Sequence, residues 1–125
     1  MAQDSRHEND DGVELSEEEI KEVQRLEAKR KAKQKEVLDT KDKLFGAALA
    51  DLDLAGLDLQ NANMAKANLS HTNLSETNLS NANLIEVDLT EANLSKADLH
   101  DAYSPDSEWV AANLSGADLR WMDFS

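Results

Sequence analysis

The sequence predicts an all-β repeat fold, a four-sided parallel β-helix of about four coils preceded by one α-helix, and three observations carry that expectation. A large apolar residue recurs at every fifth position from Leu49 onward, a small residue, mostly alanine, stands two places before it, and the preceding residues 14–46 are rich in helix formers. A chain of 125 residues has room for one domain and an extension, so its core must be built layer by layer.

Residues 1–13 carry Asp4, Glu8, Asp10 and Asp11 with almost nothing apolar, too little to offset the entropy of ordering a chain, and are expected to form a disordered acidic tail. From Leu15 to Phe45 there is neither Pro nor Gly. Ser16 with Glu19 fits a capping box, and Gly46 fits the position after the last turn, so the helix is expected to end near Phe45. Glutamates 14, 17, 18, 19 and 22 precede the basic run Lys29–Lys35, the order the helix macrodipole prefers. About 30 residues give a helix of about 45 Å. One heptad frame puts Val23, Leu26, Val37 and Leu44 at core positions, but it also puts Arg30 and Lys33 in the seam. The helix therefore reads as a solvated cap or tether whose Leu44 and Phe45 cover the start of the repeat, in a monomer or weak homodimer.

The repeat occupies residues 47–125. Its centres are Leu49, Leu54, Leu59, Met64, Leu69, Leu74, Leu79, Leu84, Leu89, Leu94 and Leu99, and the frame returns unshifted at Leu114, Leu119 and Phe124. Between the small residue and the centre stands Asn or Asp in 13 of 16 units. An α-helix rotates such centres by roughly 140° per unit and scatters them. A straight strand fails as well, because an odd period turns every second leucine outward. The pattern is met when three residues form a short strand, two apolar positions inward and the polar one outward, and the next two turn a corner. Four sides then close a coil of about 20 residues, and coils stacked at about 4.8 Å give a rod of about 19 Å with leucines along its axis. Leu54, Leu69, Leu74, Leu79, Leu84, Leu89 and Leu94 are expected in one buried column. The larger Leu52, Leu57, Val87 and Met122, standing where alanine is usual, must fit locally.

This signature, a unit of Ala, then Asp or Asn, then Leu, then two variable residues, resembles the pentapeptide-repeat family over about 63% of the chain. The resemblance implies a right-handed quadrilateral β-helix that presents flat faces to other macromolecules, and no enzymatic activity.

The side-chain inventory agrees with a binding protein. Against 13 basic residues stand 26 acidic ones, a net charge of −13, which opposes direct binding to nucleic acid and favours protein partners. Cysteine is absent, and no stretch approaches the length of a membrane span, so a cytoplasmic setting is expected. The three histidines, His7, His71 and His100, stand far apart in the pattern and assemble no catalytic triad. Asp58, Asn78, Asp98 and Asp118 stack on one face, but turn formation accounts for such a column without an ion, so neither metal nor cofactor is expected. Triplets such as Asn68-Leu69-Ser70 are by-products of the period.

Residues 103–109 depart most from the repeat. Ser104 takes a centre position, where the wall is expected to pinch or bulge, and Trp109 can serve as an oversized inward centre. Tyr103 replaces the outward Asn or Asp on the side that carries Ile85, while Trp121 takes the corner leading into that side one coil on. An outward cluster of Ile85, Tyr103, Pro105 and Trp121 is therefore the candidate partner-binding patch. The leading functional expectation is a protein-interaction module or assembly scaffold. The alternative is an acidic DNA mimic that binds a topoisomerase or another DNA-binding protein, suggested by 13 acidic against 3 basic side chains in residues 47–125.

Overall fold

The computed structural model describes residues 14–125; the expected acidic tail and His7 lie outside the described residues. The chain divides into two compact units, one reaching Lys33 and the other spanning Gln34–Ser125.

Helix α1 spans Glu17–Asp39. Its capping box forms as the sequence suggests: the Glu19 amide donates to Ser16 Oγ at 3.0 Å and the Ser16 amide donates to Glu19 Oε1 at 2.8 Å. These bonds from Ser16 hold the Glu19 carboxyl below its ordinary range. Val23 and Leu26, the first half of the heptad seam, are exposed. The helix stops at Asp39, short of Phe45. The Thr40 hydroxyl donates to the Glu36 carbonyl at 2.9 Å and a single 3-10 turn, Lys41–Lys43, follows. The early stop has a physical cause: Leu44 is already in the repeat frame, and its amide donates to the Asn63 carbonyl at 3.0 Å as each centre from Leu49 to Ser104 does to its own neighbour.

The repeat builds coils of 20 residues, each made of four five-residue units. Parallel bridges join residues 20 apart throughout, from Ala48 with Asn68 to Tyr103 with Asp123. Each centre amide from Leu44 to Ser104 donates to the carbonyl of the outward residue one coil on, as in Leu49 to Asn68 at 2.9 Å and Leu89 to Glu108 at 2.8 Å. Each outward amide donates back, as in Asn68 to Ala47 at 2.9 Å. Among the described residues these are isolated single-residue bridges, not the three-residue strands the sequence suggested. The corners set this limit, because the last residue of each unit lies in the left-handed region, with φ from 55° to 74°, and cuts the extended run short. The next amide then donates to the preceding centre carbonyl, as in Ala62 to Leu59 at 3.0 Å, closing a turn of the kind that requires positive φ at its third residue.

The interior is the leucine column. Leu54, Leu69, Leu74, Leu79, Leu84, Leu89 and Leu94 are all at most 1% exposed, with Val87 and the alanines 62, 67, 82, 92, 97 and 102 packed between them. Val37 and Leu44 extend the column at its N-terminal end. There the Gln34 side chain donates from Nε2 to the Asp53 carbonyl at 2.9 Å, the bond that a preceding coil's backbone would otherwise make. Phe45, expected to help cover this end, is exposed, with the Lys66 ammonium 5.7 Å from its ring centre. Toward the last coil the column opens: Leu114 and Met122 are partly buried, whereas Leu119 and Phe124 are exposed.

Candidate functional site

The Asn and Asp positions of the units carry a recurrent side-chain hydrogen bond. In thirteen units the side-chain Oδ1 accepts the amide two residues on, as in Asn68 with Ser70 at 3.0 Å or Asp98 with His100 at 3.1 Å. This turn-closing bond explains why Asn and Asp alternate freely: each offers a short acceptor at the corner. Ala48, Tyr103 and Glu108 are the three exceptions. At Tyr103 the exception is matched by its partner, because the residue two places on is Pro105, which has no amide to donate. Tyrosine is tolerated there because nothing is left unsatisfied.

The irregular segment neither pinches nor bulges. Asp106 keeps the corner φ of 57°, and the Glu108 amide keeps its bond to the Val87 carbonyl at 2.9 Å. Ser104 fills its centre position in the interior and donates to Ser107 Oγ at 2.8 Å, which in turn donates to the Leu84 carbonyl at 2.7 Å. Two hydroxyls and one carbonyl thus replace a leucine. Trp109 does point inward, against Phe124 with ring centres 6.1 Å apart in an edge-on arrangement. Its Nε1 is buried without a hydrogen-bond partner among the described residues.

The candidate patch needs a correction. Pro105 is buried and Ile85 is half-buried, so these two do not project from the surface as expected. Both stand in the corner column Phe45, Ala65, Ile85, Pro105, in which Ala65 and Pro105 are buried and Ile85 half-buried, while Phe45 at its start is exposed. Tyr103 and Trp121, by contrast, are 42% and 80% exposed. Trp121 has φ 62° in a corner column otherwise made of Asn61, Asn81 and Asp101. Asn and Asp visit the left-handed region readily, whereas a bulky aromatic there is a conformational outlier. The two aromatics adjoin through the ladder: Tyr103 is bridged to Asp123, and the Asp101 amide bonds to the Arg120 carbonyl at 3.0 Å beside Trp121.

A second cluster, on the adjoining side, was only half legible. Asp98 and Asp118 are bridged as the 20-residue period requires, and His100 joins them, with one ligand-type atom of each residue within 4.8 Å of the others. His100 Nδ1 lies 2.7 Å from Asp98 Oδ1, and Arg120 binds both oxygens of Asp118 at 2.9 and 2.7 Å. Hydrogen bonds from Arg120 bring the Asp118 carboxyl down to about 2, and the Asp98 partner raises the His100 imidazole above its ordinary value. Mutual ion pairing accounts for the whole group. The signal in the sequence is the pair of units Asp-Leu-His and Asp-Leu-Arg one coil apart.

The model of pentapeptide repeats matches eight copies over residues 43–81 and 72–103. A crystallised pentapeptide repeat protein from Nostoc PCC 7120 is 32% identical, with a TM-score of 0.64 over 69% of this chain and 72% of its own. The chain belongs to the pentapeptide-repeat family. A pentapeptide repeat protein of the Arabidopsis thaliana thylakoid lumen, 23% identical with a TM-score of 0.50 over 61% of this chain and 67% of its own, shares the fold. No curated protein matches the chain. Tyr103 stands out as an aromatic at an outward position held elsewhere mostly by Asn or Asp, and Trp121 as the one aromatic among the described positive-φ corners outside histidine, the others being Asn, Asp, Gly, Glu, Lys, His and Ala.

Proposed function

We propose that this pentapeptide-repeat protein is a non-enzymatic docking module or assembly scaffold of the cytoplasm, in which a right-handed four-sided β-helix holds a protein partner against the face that carries Tyr103 and Trp121. The reading rests on Trp121: it is 80% exposed in a backbone conformation that disfavours it, so neither burial nor local geometry accounts for the residue. Exposed Trp and Tyr are the side chains on which interface energy concentrates, each anchor being worth about 2 kcal/mol or more. Tyr103 supplies the second ring on the same face, and the half-buried Ile85 extends the apolar ground beside it. No helix among the described residues is long and apolar enough to cross a membrane, so membrane insertion through such a helix plays no part in this reading.

The test is capture from native lysate, with Tyr103→Asn/Trp121→Asn beside the wild type. Selective loss of one bound protein with an intact fold supports the reading; unchanged capture by the double variant refutes it.

Charge density favours a second reading. Residues 47–125 carry a net −10 on a rod of about 19 Å, and a DNA duplex of that length carries about 11 phosphate charges at one per ~1.7 Å. A DNA-binding protein could therefore meet a DNA-like field here. This alternative predicts that binding weakens steeply with salt and ignores the aromatic substitutions.

A further inference from the structure

The period of 20 sets four exposed side chains into a small square on this face. Asp101 and Trp121 occupy one corner column a coil apart, both with φ 62°. Tyr103 and Asp123 occupy the outward column beside it, joined by a parallel bridge. All four side chains are exposed. Neighbouring coils lie about 4.8 Å apart, so the aromatics stand on one diagonal and the carboxylates on the other. Asp123 Oδ1 is engaged by the Ser125 amide at 2.9 Å, which fixes the carboxylate in place while Oδ2 accepts no hydrogen bond among the described residues. Asp101 Oδ2 lies 3.7 Å from His100 Nε2, its one ion pair among the described residues. Asp106 adds an exposed carboxylate at the far edge of the same face. The basic residue nearest in sequence, Arg120, is committed to Asp118.

Crossed diagonals of rings and carboxylates suit one kind of guest. A planar cation with several donors can lie over an aromatic face and donate in its own plane to carboxylates on either side, whereas a neutral apolar side chain leaves the acids unmatched and an ammonium offers no plane to stack. From this juxtaposition we infer that the square of Asp101, Tyr103, Trp121 and Asp123 is a binding site for an arginine side chain carried on a basic segment of a partner protein. The inference rests on the docking reading above and adds the chemistry of the guest.

Titration with hexa-arginine and hexa-lysine peptides, read by calorimetry and by tryptophan fluorescence at moderate salt, tests it. Hexa-arginine is expected to bind more tightly than hexa-lysine at equal charge. Trp121→Asn, which removes a cation–π contact, and Asp123→Asn, which removes a charge-assisted hydrogen bond, are each expected to weaken hexa-arginine by about fivefold or more. Glu76→Gln and Glu91→Gln, which remove carboxylates from other corners, serve as controls and are expected to change it by less than about twofold. Equal binding of the two peptides, or equal losses at square and control positions, reduces the effect to general acidity and overturns the site. If the peptides fail in this way while Tyr103→Asn/Trp121→Asn still loses a captured protein, the docking reading stands and the arginine chemistry falls. If the square is arginine-selective but capture is unchanged in the double variant, the site stands and the docking reading falls.

Discussion

Tyr103 and Pro105 form a matched exception to the turn-closing bond, and breaking the match one residue at a time should reveal it. In Pro105→Ala the chain gains a backbone amide at a buried position whose outward neighbour, Tyr103, offers no acceptor. An unsatisfied buried amide costs about 1–3 kcal/mol, and the loss of proline's restricted unfolded state adds about 0.4–1 kcal/mol. Tyr103→Asn alone gains nothing in return, because proline gives the new Oδ1 no partner. In the double variant the bond seen in thirteen other units can form, removing the amide penalty. The double-mutant coupling should therefore be about 1–3 kcal/mol in favour of the double variant. For a unit the size of Gln34–Ser125, each kcal/mol moves the melting temperature by about 4–8 °C. Thermal melts followed by circular dichroism on the four proteins measure this. Strict additivity of the two substitutions would show that the pairing is incidental and that another contact admits the tyrosine.

Leu79→Asp places a charge in a column where Leu79 is 1% exposed, and should cost about 4 kcal/mol or more, collapsing the melt; Leu79→Met should cost less than about 1.5 kcal/mol. Gln34→Ala removes the donor to Asp53 at the first coil and should lower stability by about 1 kcal/mol in urea titration without changing the m-value. Asp118 has its folded pKa lowered to about 2 by Arg120, so its contribution is present above the unfolded value of 3.8 and lost as pH falls toward 2; Asp118→Asn should flatten the melting profile over that acid window. His100 has its folded pKa raised, so its contribution is present below 6.5 and lost as pH rises through the folded pKa; His100→Ala should remove a decline in melting temperature on the alkaline side of 6.5.

What could be read from the chain follows from which physical constraints are local. The leucine centres were legible because a period of five admits few folded solutions, and the Ser16 and Glu19 cap because a capping box needs only four residues. The identity of the outward residue was legible as a turn former, while its pairing with the amide two places on was not, since no local pattern ties Tyr103 to the amide that Pro105 lacks. Pro105 was misplaced for a related reason. Beyond the exposed Phe45, the side chains of its corner column are wholly or partly shielded, through neighbours twenty residues away that no local pattern encodes. The helix end was set late for the converse reason: Gly46 fits a helix terminus, but it also fits a corner with φ 67°, and the ladder to Ala65 decides for the corner. The ion cluster at His100 was missed because its members belong to successive coils on one side, visible only once the period of 20 is applied to every residue and not to the acidic column alone.

The corner that ends every unit also makes the fold an angular ruler. Each block of five residues advances the chain by a quarter of a coil, so azimuth around the rod is set by residue number modulo 20, and height by the number of completed coils. An insertion of 20 residues between Asp101 and Trp121 would lift the tryptophan away from the aspartate but leave both on the same edge, whereas five would carry it to the neighbouring edge with every bridge still able to form. Residues 103–109 drop the consensus yet keep its count. The chain can thus exchange side chains on any one face freely, while any change of length, however well it packs, redraws which residues meet.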